Sequence, residues 1–233
     1  MTKEKGCFFV NLRKEATTME DLKNYINKLR FDFTKGSLDE KDVDANPINQ
    51  FHTWFDQAVD SKVNEPNAVM LATVGADSKP SARIMLLRNF NDDGFVFYTN
   101  YHSRKGNQSQ ENSNAAMTFF WPELQRQVRI EGFLVKQSAE ESDEYFNSRP
   151  RSSKVGAWVS PQSHVINGRK ELDERFEKMD KEFGEEVPRP PHWGGFVLKP
   201  LTIEFWQGRE SRLHDRILFS LHEDKWKIER LAP

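Results

Sequence analysis

The chain has 233 residues, enough for one good-sized core and short of a clear second domain. Its 34 Lys and Arg against 36 Asp and Glu give a net charge of −2, which leaves no global basic footprint for nucleic acid; no apolar run approaches the roughly 20 residues that span a bilayer, so no membrane partner is expected. A single cysteine, Cys7, excludes an intramolecular disulfide and fits a reducing compartment; with Cys7-Phe8-Phe9-Val10 too short for a signal-peptide core, a cytoplasmic location is expected.

Residues 1–17 carry no periodic pattern. Thr18-Met19-Glu20-Asp21 reads as a capped helix start, and Leu22, Tyr25, Ile26 and Leu29 as that helix's apolar face. Asn46-Pro47 opens a second helix with Ile48, Phe51, Phe55, Ala58 and Val59 on its buried side. From Ala68 the period changes to that of strands: Ala68–Val74, Pro80–Leu87, Phe95–Thr99, Ala115–Trp121 and Gln127–Val135, with turns at 75–78 and 91–94 and a short helix capped by Ser103. Ser138-Ala139-Glu140-Glu141 is a second capping box, opening a helix that must end near Arg149-Pro150. Ser152–Val159 is a shorter helix, and Leu172, Phe176, Met179 and Phe183 share the face of a longer one. Four last strands follow: Gly195–Leu198, Thr202–Trp206, Arg216–Ser220 and Trp226–Leu231. About nine short strands without a steady βαβ rhythm argue an α+β, antiparallel barrel with peripheral helices.

One stretch organises the rest. Trp206-Gln207-Gly208-Arg209-Glu210-Ser211-Arg212-Leu213-His214-Asp215-Arg216 reads as strand, tight turn at Gly208, strand, with Arg212, His214 and Arg216 spaced by two and so on one face. Two guanidiniums and an imidazole together make a poor core and a good anion site, against the bland alternative of a solvated hairpin face. Arg83 lies in an apolar strand, where it needs a partner anion or the barrel rim; Arg88, five residues on, faces the other side of a regular strand. Ser103-Arg104-Lys105-Gly106 sets two cations and free N–H groups at a helix start. Tyr145, Arg149 and Ser153 span a helix–turn–helix corner that either grips a phosphate or is simply a corner. Gln127 is a polar strand residue, and Gln162-Ser163 a polar loop with no signal of its own. Nucleotide, phosphate-loop, nucleophile-elbow and metal-ligand spacings are all missing. So many cations exceed the needs of one phosphate and suggest two phosphorylated ligands, a cofactor and a substrate.

From about Leu29 to Pro233 the ordered motifs resemble the pyridoxine (pyridoxamine) 5′-phosphate oxidase family. They are Ser81-Ala82-Arg83, Phe97-Tyr98-Thr99-Asn100, Ser103-Arg104-Lys105, Arg126-Gln127-Val128, Tyr145-Phe146-Asn147-Ser148-Arg149-Pro150, Trp158-Val159-Ser160-Pro161-Gln162-Ser163, Trp193-Gly194-Gly195, Glu204-Phe205-Trp206-Gln207-Gly208, Arg212-Leu213-His214-Asp215-Arg216 and Glu229-Arg230-Leu231-Ala232-Pro233.

The resemblance implies an FMN-binding split β-barrel, a homodimer with clefts between subunits, and a division into residues 1–28 (flexible arm and first helix) and 29–233 (a single oxidase domain). It implies that Arg83, Ile84, Met85, Leu86, Tyr98 and Thr99 line the flavin. Arg104 and Lys105 then hold its phosphate, and Gln127, Gln162, Ser163, Trp206 and Arg216 complete the site, some from the second subunit. Arg30, Arg88, Tyr145, Arg149 and Ser153 are implied substrate contacts, with Arg212 and His214 catalytic in the sense of positioning and polarising the substrate. The implied reaction is hydride transfer from substrate C4′ to the flavin, reoxidised by dioxygen to give hydrogen peroxide, with ammonia released from the amine substrate. Two positions depart from the family's pattern: Arg88 stands where a lysine is usual, and Phe33 where many members have tyrosine. Two alternatives stand beside the oxidase: a non-catalytic flavin or pyridoxal-phosphate binding protein, motivated by these departures, and an FMN reductase-like relative of the same fold, against which the set Tyr145, Arg149, Ser153, Arg212 and His214 argues.

Overall fold

The computed structural model describes residues 18–29 and 32–233; the expectations for residues 1–17 and for Arg30 lie outside them. Helix α1 (Met19–Lys28) has the expected capping box, the Thr18 hydroxyl accepting from the Asp21 N–H and the Asp21 carboxylate from the Thr18 N–H. Its apolar stripe is not a buried face, however. Leu22, Ile26 and Leu29 are all exposed, and the helix has no buried residue. Helix α2 (Pro47–Asp60) starts at an Asn46 cap with Pro47 in its first turn. It buries Ile48, Phe51, Trp54 and Ala58 as its spacing requires, while Val59 points to solvent.

Nine strands form one antiparallel sheet: β1 (Ala68–Val74), β2 (Pro80–Leu86), β3 (Asn89–Asn91), β4 (Gly94–Asn100), β5 (Asn114–Trp121), β6 (Arg126–Lys136), β7 (Trp193–Gln207), β8 (Asp215–His222) and β9 (Lys225–Arg230). The order is β2-β1-β5-β6-β7-β4-β3, with β8 and β9 continuing from β7. The expected number of strands comes about differently. The segments anticipated at 195–198 and 202–206 are one 15-residue strand, and the short β3 was not anticipated.

The length of β7 curls the sheet into a split barrel. One edge of β7 pairs with β4 through Trp193–Leu198, then with β8 through Thr202–Gln207, while β6 pairs along its other edge from Phe196 to Gln207. The register of β6 on β7 slips between Glu131 and Gly132. Gly132 is required there, since a Cβ would sit 1.9 Å from the Lys199 carbonyl oxygen. A bulge of this kind bends a strand and increases its twist. Reading a single apolar run across Lys199-Pro200-Leu201 is hard from sequence because proline cannot donate to a ladder; the bulge opposite is what accommodates it.

The concave side of the sheet closes on α2. Phe51, fully buried, meets Phe90, Phe95 and Phe119 at 4.9–5.1 Å between ring centroids, and Trp54 packs edge-on against Phe205 at 5.2 Å. Truncating such a ring to alanine costs about 3–5 kcal/mol. Helix α3 (Arg104–Glu111) follows β4. Helices α4 (Ala139–Asn147), α5 (Arg151–Val159) and α6 (Arg169–Glu182) lie between β6 and β7, where Val155, Val159 and Val187 form a small second cluster with Trp158, Leu172, Phe176, Met179 and Phe183.

Candidate functional site

Between the β2 and β4 strands and the α4–α5 corner lies a cleft of about 540 Å³. Ile84, Met85 and Leu86 supply apolar lining from β2; Tyr98, Thr99 and Asn100 come from β4; Tyr145, Arg149 and Ser153 come from the corner; Gln162 and Trp193 also line it. Arg88 joins them because β2 ends at Leu86 and the Arg88 N–H donates to the Val96 carbonyl, which carries the chain across to β4. Arg83 and Arg88 are therefore not on opposite sides of one regular strand.

A cationic group adjoins the cleft at Thr99 and Gln162. Lys105 is only 7% exposed, and its Nζ donates to Thr99 Oγ1 (2.9 Å), Ser103 Oγ (3.2 Å) and Gln162 Oε1 (3.2 Å). Arg83 turns inward and donates to Thr73 Oγ1 and the Leu71 carbonyl. Arg104, on the first turn of α3, lines the adjoining hollow with Ser163. Among the described residues no carboxylate forms an ion pair with Arg83, Arg104 or Lys105. Burial, and then the charge of Arg83, push the Lys105 amine down to about 8. Buried Lys105 and exposed Arg104 at the start of α3, with half-buried Arg83 of β2 nearby, make a site for an anion, because the buried lysine without a counterion is otherwise costly.

A second cationic group lies in the lining itself, Arg88 and Arg149. Tyr98, Tyr145 and Trp193 stack nearly parallel, Tyr145 lying 3.8 Å from Tyr98 by ring centroid. The Arg149 guanidinium carbon sits 4.5 Å from the Trp193 ring centroid, and its Nη1 is buried without a hydrogen-bond partner. Arg88 lies over Tyr145. Neither arginine pairs with a described carboxylate. Burial pushes the Arg149 guanidinium down, and Arg88 adds to that, but arginine stays cationic at any relevant pH. Burial raises the Tyr98 phenol to about 12, keeping it protonated.

The remaining expected site residues are elsewhere in the chain. Gln127 pairs in register with Trp206, and Trp206 with Arg216, at the far end of β6, β7 and β8. None of Gln127, Trp206, Arg212, His214 or Arg216 lines the cleft. Arg212, His214 and Arg216 also do not alternate along one strand. Residues 210–212 form a 3-10 turn with Ser211 and Arg212 at positive φ, and β8 begins only at Asp215. The tight turn expected at Gly208 is thus a longer loop, in which Arg212 is exposed and His214 is half-buried. Arg216 is not free for an anion from its own chain: it forms a two-pronged pair with buried Glu204 at 2.8 and 3.0 Å, and Glu204 also takes Arg129 at 3.2 Å. Over this loop, Phe33 packs edge-on against both Trp206 (5.7 Å) and His214 (5.5 Å).

Trp193 is the residue that sequence reasoning missed. Its signal was the Trp-Gly-Gly at the start of β7, but only the fold shows that its ring carries Arg149 and extends the tyrosine stack. Asn100, Ser160 and Ala157 also line the cleft.

Two family models match this chain: "Pyridoxamine 5'-phosphate oxidase" over residues 55–183 and "Pyridoxine 5'-phosphate oxidase C-terminal dimerisation region" over residues 193–233. A protein from Paraburkholderia phytofirmans named pyridoxine/pyridoxamine 5'-phosphate oxidase is 53% identical over 208 residues, covering 88% of this chain and 98% of that one. Its namesake from Nostoc punctiforme is 54% identical over 207 residues, covering 88% and 97%. Among solved structures, PhzG from Burkholderia lata in complex with tetrahydrophenazine-1-carboxylic acid superposes with a TM-score of 0.80 at 30% identity, covering 85% of this chain and all of that one. The chain belongs to the pyridoxamine 5'-phosphate oxidase family and is an oxidoreductase of that family. Among the described residues no helix is long and apolar enough to cross a membrane, and no cluster could hold a metal ion.

Proposed function

We propose that this protein is an FMN-dependent oxidase that converts pyridoxine 5′-phosphate and pyridoxamine 5′-phosphate to pyridoxal 5′-phosphate, in vitamin B6 metabolism. The observation that carries the reading is two cationic groups at one cleft: Lys105, bonded to the lining residues Thr99 and Gln162 with Arg83 and Arg104 nearby, and Arg88 with Arg149 in the lining itself. Two phosphorylated ligands meeting end to end answer both.

The residues present fit FMN. Lys105 and Arg104, with the N–H groups of the first turn of α3, suit its phosphate, and buried Lys105 otherwise has only neutral acceptors. The exposed edge of β2 at Ile84–Leu86 suits an aromatic ring system, and Ile84, 67% exposed, lacks a cover in the single chain. When bound, the flavin accepts a hydride from the substrate and passes the electrons to dioxygen, yielding peroxide.

The chain's own residues bind and orient. Arg149 and Arg88, with Tyr145 and Ser153, hold the substrate phosphate, so the reacting carbon is placed by charge at a distance from the chemistry. Arg212 and His214 then polarise the ring side of the substrate. Since Gln127, Trp206, Arg212, His214 and Arg216 lie away from the cleft of their own chain, they serve the cleft of a second copy; the dimerisation-region match over residues 193–233 supports a homodimer built this way. Residues 29–233 act as one catalytic unit, and the protein works in the cytoplasm.

The test is peroxide release in air by the FMN-loaded protein given each substrate separately. Turnover of either supports the oxidase. Bound FMN with turnover of neither favours the binding protein or a reductase-like relative.

A further inference from the structure

The loop between β7 and β8 fixes more than the place of His214. Its Nδ1 accepts a hydrogen bond from the backbone N–H of Arg209 at 3.0 Å. A backbone N–H is only ever a donor, so Nδ1 must present its lone pair. In the neutral ring the one proton is then on Nε2. Protonating Nδ1 would turn an N–H donor against an N–H donor in a half-buried place.

The Arg209 segment is itself held. Asp215 Oδ2 accepts from Arg209 Nη1 (2.8 Å) and from the backbone N–H of Leu38 (3.0 Å), and its Oδ1 accepts from Arg230 Nη1 (2.9 Å). Arg230 in turn pairs with Glu40 at 2.7 and 2.8 Å. One carboxylate thus ties the turn bearing the Arg209 N–H to the segment bearing Phe33, whose ring lies against the His214 imidazole. The charged neighbours of that imidazole are Arg212, which disfavours its protonation, and Asp215, which favours it; from β7 and the N-terminal segment come the uncharged rings of Trp206 and Phe33.

We infer that His214 is locked as the neutral Nε2–H tautomer by the Arg209 backbone N–H, serving as a fixed hydrogen-bond donor to the substrate and not as its base, and that Asp215 is the positioning residue that holds this lock. The inference rests on the oxidase reading for the substrate's identity, but the lock is a property of the folded chain. Arg212 carries no lone pair for a proton either. The proton given up by the substrate's hydroxyl or amine is therefore taken by neither residue of this loop.

The experiment is nitrogen-15 NMR of the FMN-loaded protein labelled at histidine, correlating ring nitrogens with ring protons at about pH 8, above the ordinary imidazole pKa. Six imidazoles contribute, and the signal lost in His214→Gln is the one sought. The expected pattern is a protonated Nε2 and an unprotonated Nδ1. An Nδ1–H pattern, or a ring protonated at both nitrogens, overturns the lock. Asp215→Asn, and Arg209→Met as a second route to the same broken pair, should bring in the other tautomer and lower kcat/KM about tenfold or more with FMN content unchanged. If both variants keep the Nε2–H pattern and full kcat/KM, Asp215 is not the positioning residue. Because the tautomer is read without turnover, absence of peroxide from the unmodified protein would sink the oxidase reading and leave the lock to be judged on its own spectrum.

Discussion

The guanidinium of Arg149 lies over the indole of Trp193, 4.5 Å from carbon to ring centroid, with one Nη buried and unpartnered. The ring holds the cation in place while leaving its donors unspent. A desolvated contact of this type is worth about 2 kcal/mol. Trp193→Leu should therefore raise KM for the phosphorylated substrate roughly tenfold or more, with kcat changed far less, because the contact acts equally in the ground and transition states. Steady-state peroxide release against substrate concentration checks it. An unchanged KM with a collapsed kcat would mean that Trp193 serves the chemistry instead.

Lys105 is a buried cation among neutral acceptors. Lys105→Met removes the uncompensated charge, so the flavin-free protein should be as stable as the original or more so, within about 1 kcal/mol, while the rise in Tm on adding FMN largely disappears. Thermal melts with and without FMN separate the two effects. A large loss of stability without flavin would show that the lysine's three hydrogen bonds outweigh its charge.

The same residue sets a pH dependence. Its amine sits at about 8 in the free protein, below the ordinary lysine value. A bound phosphate favours the cation and raises that value again. FMN affinity should thus be level below about pH 8 and fall above it, by about tenfold between pH 7 and 9. Over the window from about 8 to the ordinary lysine value the unfolded chain holds more protons than the folded one. This residue's contribution to the stability of the flavin-free protein therefore rises with pH there. Quenching of flavin fluorescence, compared with that of Lys105→Met, measures the affinity; parallel pH profiles in the two proteins would assign the dependence elsewhere.

Gly208 has Phe33 against it: a Cβ added there would lie 2.7–2.8 Å from three carbons of the phenylalanine. Gly208→Ala should push the Phe33 segment off Trp206 and His214. The expected cost is about 1–3 kcal/mol in stability, with a larger fall in kcat/KM than in FMN affinity. Unfolding in denaturant and flavin titration check the two parts. Full activity in this variant would mean that the Phe33 contact is not needed for turnover.

Much of the fold was legible because it rests on local rules. The Thr18 and Ser138 capping boxes, the Asn46-Pro47 start of α2 and the Asn91–Gly94 hairpin are each fixed within a few residues, and each is found where the residues place it. Of the residues expected at a site, Ile84, Met85, Leu86, Arg88, Tyr98, Thr99, Tyr145, Arg149, Ser153 and Gln162 share one cleft. Periodicity failed at the loop after β7, where strand spacing was assumed for Arg212, His214 and Arg216. Positive φ at Ser211 and Arg212 breaks the alternation. It also failed at α1, whose apolar stripe correctly marks a helix but cannot say whether anything covers it.

What the sequence determined by itself was therefore most of the elements, their antiparallel class and the residue types that line the cleft, since caps, turns and side-chain period act over three or four residues. Tertiary structure alone decided that β7 is one bent strand shared by β4 and β8, that Trp193 carries Arg149, that Glu204 occupies Arg216, and that the Arg209 N–H donates to His214 Nδ1. Each of these joins groups far apart in the chain or depends on the path of a loop. Such pairings are fixed by burial and by the need to satisfy buried charge and hydrogen bonds, which only the assembled sheet imposes.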